Sequence, residues 1–115
     1  MYLKPTGFHK YIYVLLCPDT GKVHYVGRTR IPGYRMGNHQ SGYSTAPVDV
    51  WKRSLRSVGK RAVFRVIEKL GPSQDTWQFE ELHKEREKWW MRYFRRHNQP
   101  LLNTKPGKPK GWKNT

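Results

Sequence analysis

Between residues 11 and 27 the chain reads YIYVLLCPDTGKVHYVG: two runs rich in β-branched and aromatic residues, joined by a segment where Pro18, Asp19 and Gly21 supply turn chemistry. This pattern specifies a β-hairpin, with strands over 11–17 and 22–28. A hairpin excludes parallel pairing within itself, so the rest of the fold has to be built on an antiparallel ribbon. At 115 residues there is room for one hydrophobic core and little more.

The remaining pattern supplies what covers that ribbon. Residues 1–10, with Pro5 and Gly7, read as a loop-like lead-in. Pro32 opens a segment that suits a short helix weakened by Gly33 and Gly37. A second helix is predicted over 47–58, starting after Ala46-Pro47, and RAVFRVIEK over 61–69 alternates as a third strand. From 74 to 96 runs a long helix, with Phe79, Leu82, Trp89, Trp90 and Tyr93 gathering on one side at 100° per residue. The end, NTKPGKPKGWKNT, is rich in Pro, Gly and Lys and reads as flexible. The expected fold is α/β of the α+β type, an antiparallel sheet of about three strands flanked by helices. The organisation is a lead-in over 1–10, one domain over 11–104 and a basic tail over 105–115.

Charge narrows the function. Lys and Arg number 23 against 8 acidic residues, a net charge of +15 spread along the chain. Such a surface attracts polyanions by Coulomb force and counterion release, which makes nucleic acid the leading partner. No apolar run approaches the ~20 residues a membrane span needs, no signal-peptide pattern opens the chain, and no basic amphipathic helix has a clean apolar face. The expectation is a soluble, intracellular protein, monomer or homodimer, without an obligate protein partner. The single Cys17 excludes an internal disulfide, and no Cys/His cluster has structural-zinc spacing. Stability must come from packing, for which five Trp, seven Tyr and four Phe supply bulk.

Several residues exceed what a fold requires. If the turn sets Cys17 opposite Gly21, Tyr13 falls opposite Tyr25 on one face of the hairpin, either as an aromatic pair that packs the core or as two phenols with a task. Arg35 and His39, four apart, share a helix face and can address one anion, although a solvated Arg and a surface His also account for them. Four of the eight acids, Glu80, Glu81, Glu85 and Glu87, crowd into eight residues. Helix electrostatics and pairing with neighbouring Lys and Arg explain three of them; Glu87 differs in lying at the edge of the apolar stripe, partly shielded and able to face a cleft. Arg28 and Arg30, with Lys52, Arg53, Arg56 and Lys60 in WKRSLRSVGKR, suit contacts along a phosphate backbone, as do Lys108 and Lys110 beside Trp112 in the tail.

Together these residues resemble the GIY-YIG nuclease family. YIY (Tyr11-Ile12-Tyr13) stands for the first tyrosine motif and YVG (Tyr25-Val26-Gly27) for the second, with Tyr11 in place of Gly and Val26 in place of Ile. Arg35 follows Tyr25 by ten residues and His39 comes four later, EREKWW resembles the segment bearing the family's metal-binding Glu, at Glu87, and LLN ends on its Asn, at Asn103. The resemblance implies a divalent-metal-dependent endonuclease that hydrolyses phosphodiester bonds in DNA. One Mg²⁺ or Mn²⁺ ion would sit on Glu87, Arg35 would neutralise the phosphoryl oxygens, and Tyr25 would hydrogen-bond alongside Tyr13. Tyr13 or His39 would be the general base: a phenol titrates near ~10 and needs cations to lower it, whereas an unperturbed imidazole is already closer to working pH. Asn103 is expected to fix local geometry more than to join the chemistry. The alternative is a nucleic-acid-binding module with the same fold and no turnover.

Overall fold

The computed structural model of the chain describes residues 7–33 and 46–103. The segment after Pro32 that carries Arg35 and His39, and the tail with Lys108, Lys110 and Trp112, lie outside the described residues. The fold is α+β. Strands β1 (Phe8–Leu16), β2 (Val23–Thr29) and β3 (Val63–Ser73) form one antiparallel sheet in the order β2-β1-β3, with helices α1 (Pro47–Ser57) and α2 (Trp77–Arg96).

Alternation along β1 sorts the core into two layers. Ile12 and Val14 point with Val26 toward Met91, Trp90 and Phe94 of α2, while Tyr13 and Leu15 point with Tyr25 toward Val48 and Trp51 of α1. The helices therefore cover opposite faces. β1 is central, which is why Ile12, Tyr13, Val14 and Leu15 are all buried.

The hairpin register departs from the expected one. The turn closes with Cys17 N–H donating to Lys22 O at 2.9 Å, and Gly21 takes the left-handed φ of 72° that this closure requires. One step further, Leu16 pairs with Val23 but Leu15 with Tyr25, so His24 is an extra residue in β2. The turn and the bulge together shift the ladder by two, and Tyr13 stands opposite Gly27 instead of Tyr25. A two-residue shift preserves faces. Tyr13 and Tyr25 accordingly stay neighbours on the diagonal, ring centroids 6.3 Å apart.

Other boundaries move for equally local reasons. β1 begins at Phe8, inside the expected lead-in, because β3 runs on to Ser73 and gives Phe8 a partner. α2 starts later than 74 because Thr76 caps it, its hydroxyl accepting from Phe79 N–H at 3.2 Å. The buried face of α2 carries Phe79, His83 and Met91, with Trp90 and Phe94 partly covered, whereas Leu82 and Trp89 of the expected stripe are exposed. Trp89 instead stacks on Tyr93 along the outside, with the Arg86 guanidinium 4.7 Å from its ring centre. Glu68 of β3 ties this flank to the sheet by accepting from Arg86 Nε at 2.9 Å and Trp90 Nε1 at 2.8 Å.

The outer edge of β2 is covered by the segment that follows α2. Val23 N–H donates to Gln99 Oε1 at 2.8 Å, Leu102 N–H donates to the bulge carbonyl of His24 at 2.6 Å, and Asn103 binds Val26 on both backbone groups. An edge that would otherwise invite pairing with another chain is thus closed. Among the described residues no helix is long and apolar enough to cross a membrane.

Candidate active site

Where β2 passes the N-terminal half of α2, an open polar cleft forms. Residues 80, 83 and 87 are three and four apart and line it from one face of α2; Tyr25, Arg28 and Arg30 line it from β2 and the turn beyond, and Lys10 from β1.

Its floor is a buried cation. Lys10 lies on the same face of β1 as Ile12 and Val14 and is only 2 % exposed. Its ammonium meets Glu80 Oε1 at 2.6 Å, lies 3.9 Å from Asp75 and 5.2 Å from the centre of the Phe79 ring. Glu80 also accepts from Arg28 Nη1 at 2.8 Å. The Lys10 hydrogen bond, helped by Arg28 against the cost of burial, holds the Glu80 carboxyl down at about 2. Arg28 reaches a second acid, its Nε lying 3.6 Å from Glu87 Oε1.

His83 sits between these acids, wholly buried. Its Nε2 is 2.8 Å from the carbonyl of Tyr11, which can only accept, so Nε2 carries the proton and Nδ1 is bare; Nδ1 is buried without a hydrogen-bond partner. Burial, opposed by the Tyr11 bond and assisted by Arg28 and Lys10, lowers its pKa and keeps the ring neutral near pH 7.

The predicted site residues divide among several places. Tyr25 and Glu87 line the cleft together, with Arg28 and Arg30. Tyr13 is not in its wall: it is fully enclosed on the α1 face, stacked on Phe64 at 4.6 Å, with the end of its ring lying across Gly27 where a Cβ would stand. Asn103 bonds the edge of β2. Its Oδ1 accepts from Val26 N–H at 2.9 Å and its Nδ2 donates to Val26 O at 2.7 Å, imitating a strand partner next to Tyr25.

The residues of the basic patches differ in exposure and in partners. Lys52 shares the inward stripe of α1 with Val48 and Leu55, is 7 % exposed, and pairs with Asp49 at 3.5 Å, so it offers no charge to an external phosphate. Lys60 is exposed but bridges to Asp19 at 2.7 Å, and Arg53 and Arg56 are half-buried. Arg28 is bound to acids of the cleft instead of standing clear on the surface.

Sequence reasoning missed Lys10 and His83. A signal for each was present: a lysine two residues before Ile12 on a strand, and a histidine four residues after Phe79 on a helix, both occupy inward positions that a polar residue fills only with a partner.

Comparison with protein-family models, with curated proteins and with solved structures found no match to this chain.

Proposed function

We propose that the chain is a divalent-metal-dependent endonuclease of the GIY-YIG type, hydrolysing phosphodiester bonds in DNA. The observation that carries the reading is that Tyr25, from the second tyrosine motif, and Glu87, from the long helix, line one cleft. A net charge of +15 supports a polyanionic substrate.

The donor chemistry of Glu87 suits Mg²⁺ or Mn²⁺, since such ions take one or two carboxylates and fill the rest of the shell with water and substrate oxygen. Its side chain is 20 % exposed and borders an open cleft. Among the described residues no group of three His, Cys, Asp or Glu side chains could hold a metal, which a water-rich ion does not need. When bound, the ion supplies Lewis-acid polarisation of the phosphate and stabilises the leaving oxygen. The protein's own part is to bind and orient. Arg35 neutralises a phosphoryl oxygen with its planar donor pair, and Arg30 holds the adjoining backbone. His39 takes the proton from the attacking water, since Tyr13 is enclosed on the α1 face away from the cleft, and Tyr25, which lines the cleft, orients that water.

The second reading is a binding module without turnover, and the Arg28 contact with Glu87 favours it by placing a cation at the carboxylate. One experiment decides between them: supercoiled, linear, branched and single-stranded DNA are incubated with the protein in Mg²⁺, Mn²⁺ or EDTA. Metal-dependent cleavage is expected, lost in Glu87→Gln while DNA affinity is unchanged or higher, because the variant removes one negative charge beside the phosphate path. No cleavage of any form in either metal leaves the binding module. Cleavage by Glu87→Gln near the wild-type rate would move the metal site elsewhere.

A further inference from the structure

The cleft carries three cations, Lys10, Arg28 and Arg30, against three carboxylates, Asp75, Glu80 and Glu87, in a protein with large positive excess elsewhere. An added divalent ion therefore meets a site whose acids are already matched by basic side chains. The pairings are unequal. Lys10, buried beneath, fixes one oxygen of Glu80 at 2.6 Å, and the other oxygen then accepts from Arg28 at 2.8 Å. Glu80 is thus a rigid anchor. The contact from Arg28 to Glu87, at 3.6 Å, is beyond hydrogen-bond length and holds by charge alone. The Arg28 side chain is 30 % exposed, which gives its guanidinium a path toward solvent.

The geometry points to Arg28 as a latch: anchored on Glu80, it stands beside Glu87 as an internal counter-cation that competes with a divalent metal, and it moves to a backbone phosphate when nucleic acid enters. This rests on the reading of Glu87 as the metal-binding residue. The physical logic is exchange of like for like, because a phosphodiester offers the guanidinium a charged bidentate acceptor in place of a carboxylate. Metal and phosphate then assist each other: the phosphate removes the competing cation, and the metal takes up the carboxylate that Arg28 releases.

The test uses two probes on the full chain. Mn²⁺ binding without nucleic acid is followed by the electron-spin-resonance signal of the free aquo ion, for wild type, Arg28→Gln and Glu87→Gln. Binding of a labelled duplex oligonucleotide is followed by fluorescence anisotropy in EDTA over a range of salt. Removing a positive charge beside Glu87 should tighten Mn²⁺ about tenfold in Arg28→Gln. The same variant should weaken duplex binding and flatten the slope of log affinity against log salt by about 0.9, one phosphate contact. Opposite movement of the two affinities is the signature, because a merely structural Arg28 would move both down or neither. If Arg28→Gln melts below the assay temperature, Arg28→Lys serves, since the shorter ammonium keeps the charge but cannot span both acids, and it should shift Mn²⁺ in the same direction by less. Mn²⁺ affinity within about twofold of wild type in Arg28→Gln, with Glu87→Gln strongly weakened, overturns the latch and leaves the metal reading standing. Unchanged Mn²⁺ binding in Glu87→Gln overturns both.

Discussion

Gly27→Ala tests the packing that places the two tyrosines. An ideal Cβ at residue 27 would lie 2.7 Å from Tyr13 Cε2, with Cζ and the hydroxyl oxygen nearer still, and side-chain carbons do not sit so close. The ring has nowhere to go, being fully buried against Phe64 on one side and near Tyr25 on another. Forcing a methyl into such a core costs ~1–3 kcal/mol, offset by the ~0.5–1 kcal/mol that alanine gains over glycine by restricting the unfolded chain. A net loss of ~1–2 kcal/mol is expected, seen as a lower urea midpoint at unchanged m-value. The cause is checked by a double-mutant cycle with Tyr13→Leu, which takes away the ring end: the penalty of the added methyl should shrink, giving a coupling of ~1 kcal/mol or more. Gly27→Ala within ~0.5 kcal/mol of wild type, or additive effects in the cycle, would mean that the ring does not depend on the missing Cβ.

Asn103→Ala deprives both backbone groups of Val26 of their partner and should cost ~1–2 kcal/mol, and Asn103→Asp, which keeps the acceptor and loses the donor, should fall between in chemical denaturation. Stability should decline on acidification in two stages. His83 is buried neutral with a lowered pKa, so its contribution is complete above its unfolded value of 6.5 and is lost as pH falls below it; Glu80, held at about 2, contributes fully above 4.5 and loses this between 4.5 and 2. Urea midpoints against pH check this, and His83→Gln should erase only the upper stage. Lys10→Met removes the leading cause of the Glu80 shift, so the lower stage should still begin near 4.5 but end at higher pH and be smaller, while Arg28 still partners the acid and limits the cost at pH 7 to ~1–2 kcal/mol.

The hairpin, α1, β3 and α2 were legible in the sequence because each rests on local pattern: β-branched runs around a Pro-Asp-Gly turn, Pro47 at a first helical position, alternation after Arg61, and periodicity from Thr76 onward. The class of the sheet followed, since a hairpin with one further strand leaves few arrangements. Pairing was legible only in part. A bulge at His24 costs the sequence no visible residue, yet with the turn it moved the ladder by two and set Tyr13 against Gly27. Only faces survived that shift, because side-chain direction repeats every two residues.

What tertiary structure alone decided was the electrostatic company of each charge. Sequence marked Glu87 as an acid at the edge of an apolar stripe and Arg28 as one cation among many. Lys10, Arg28 and Glu80 are far apart along the chain, and no local propensity records that β1, β2 and α2 bring them within hydrogen-bond reach. The same holds for Lys52, drawn into a basic patch by composition and turned inward by its place between Val48 and Leu55. Local sequence fixes dihedral preference and face, and these are properties of neighbours in the chain. Which charge meets which depends on how elements distant in sequence pack, and that choice sets protonation and accessibility.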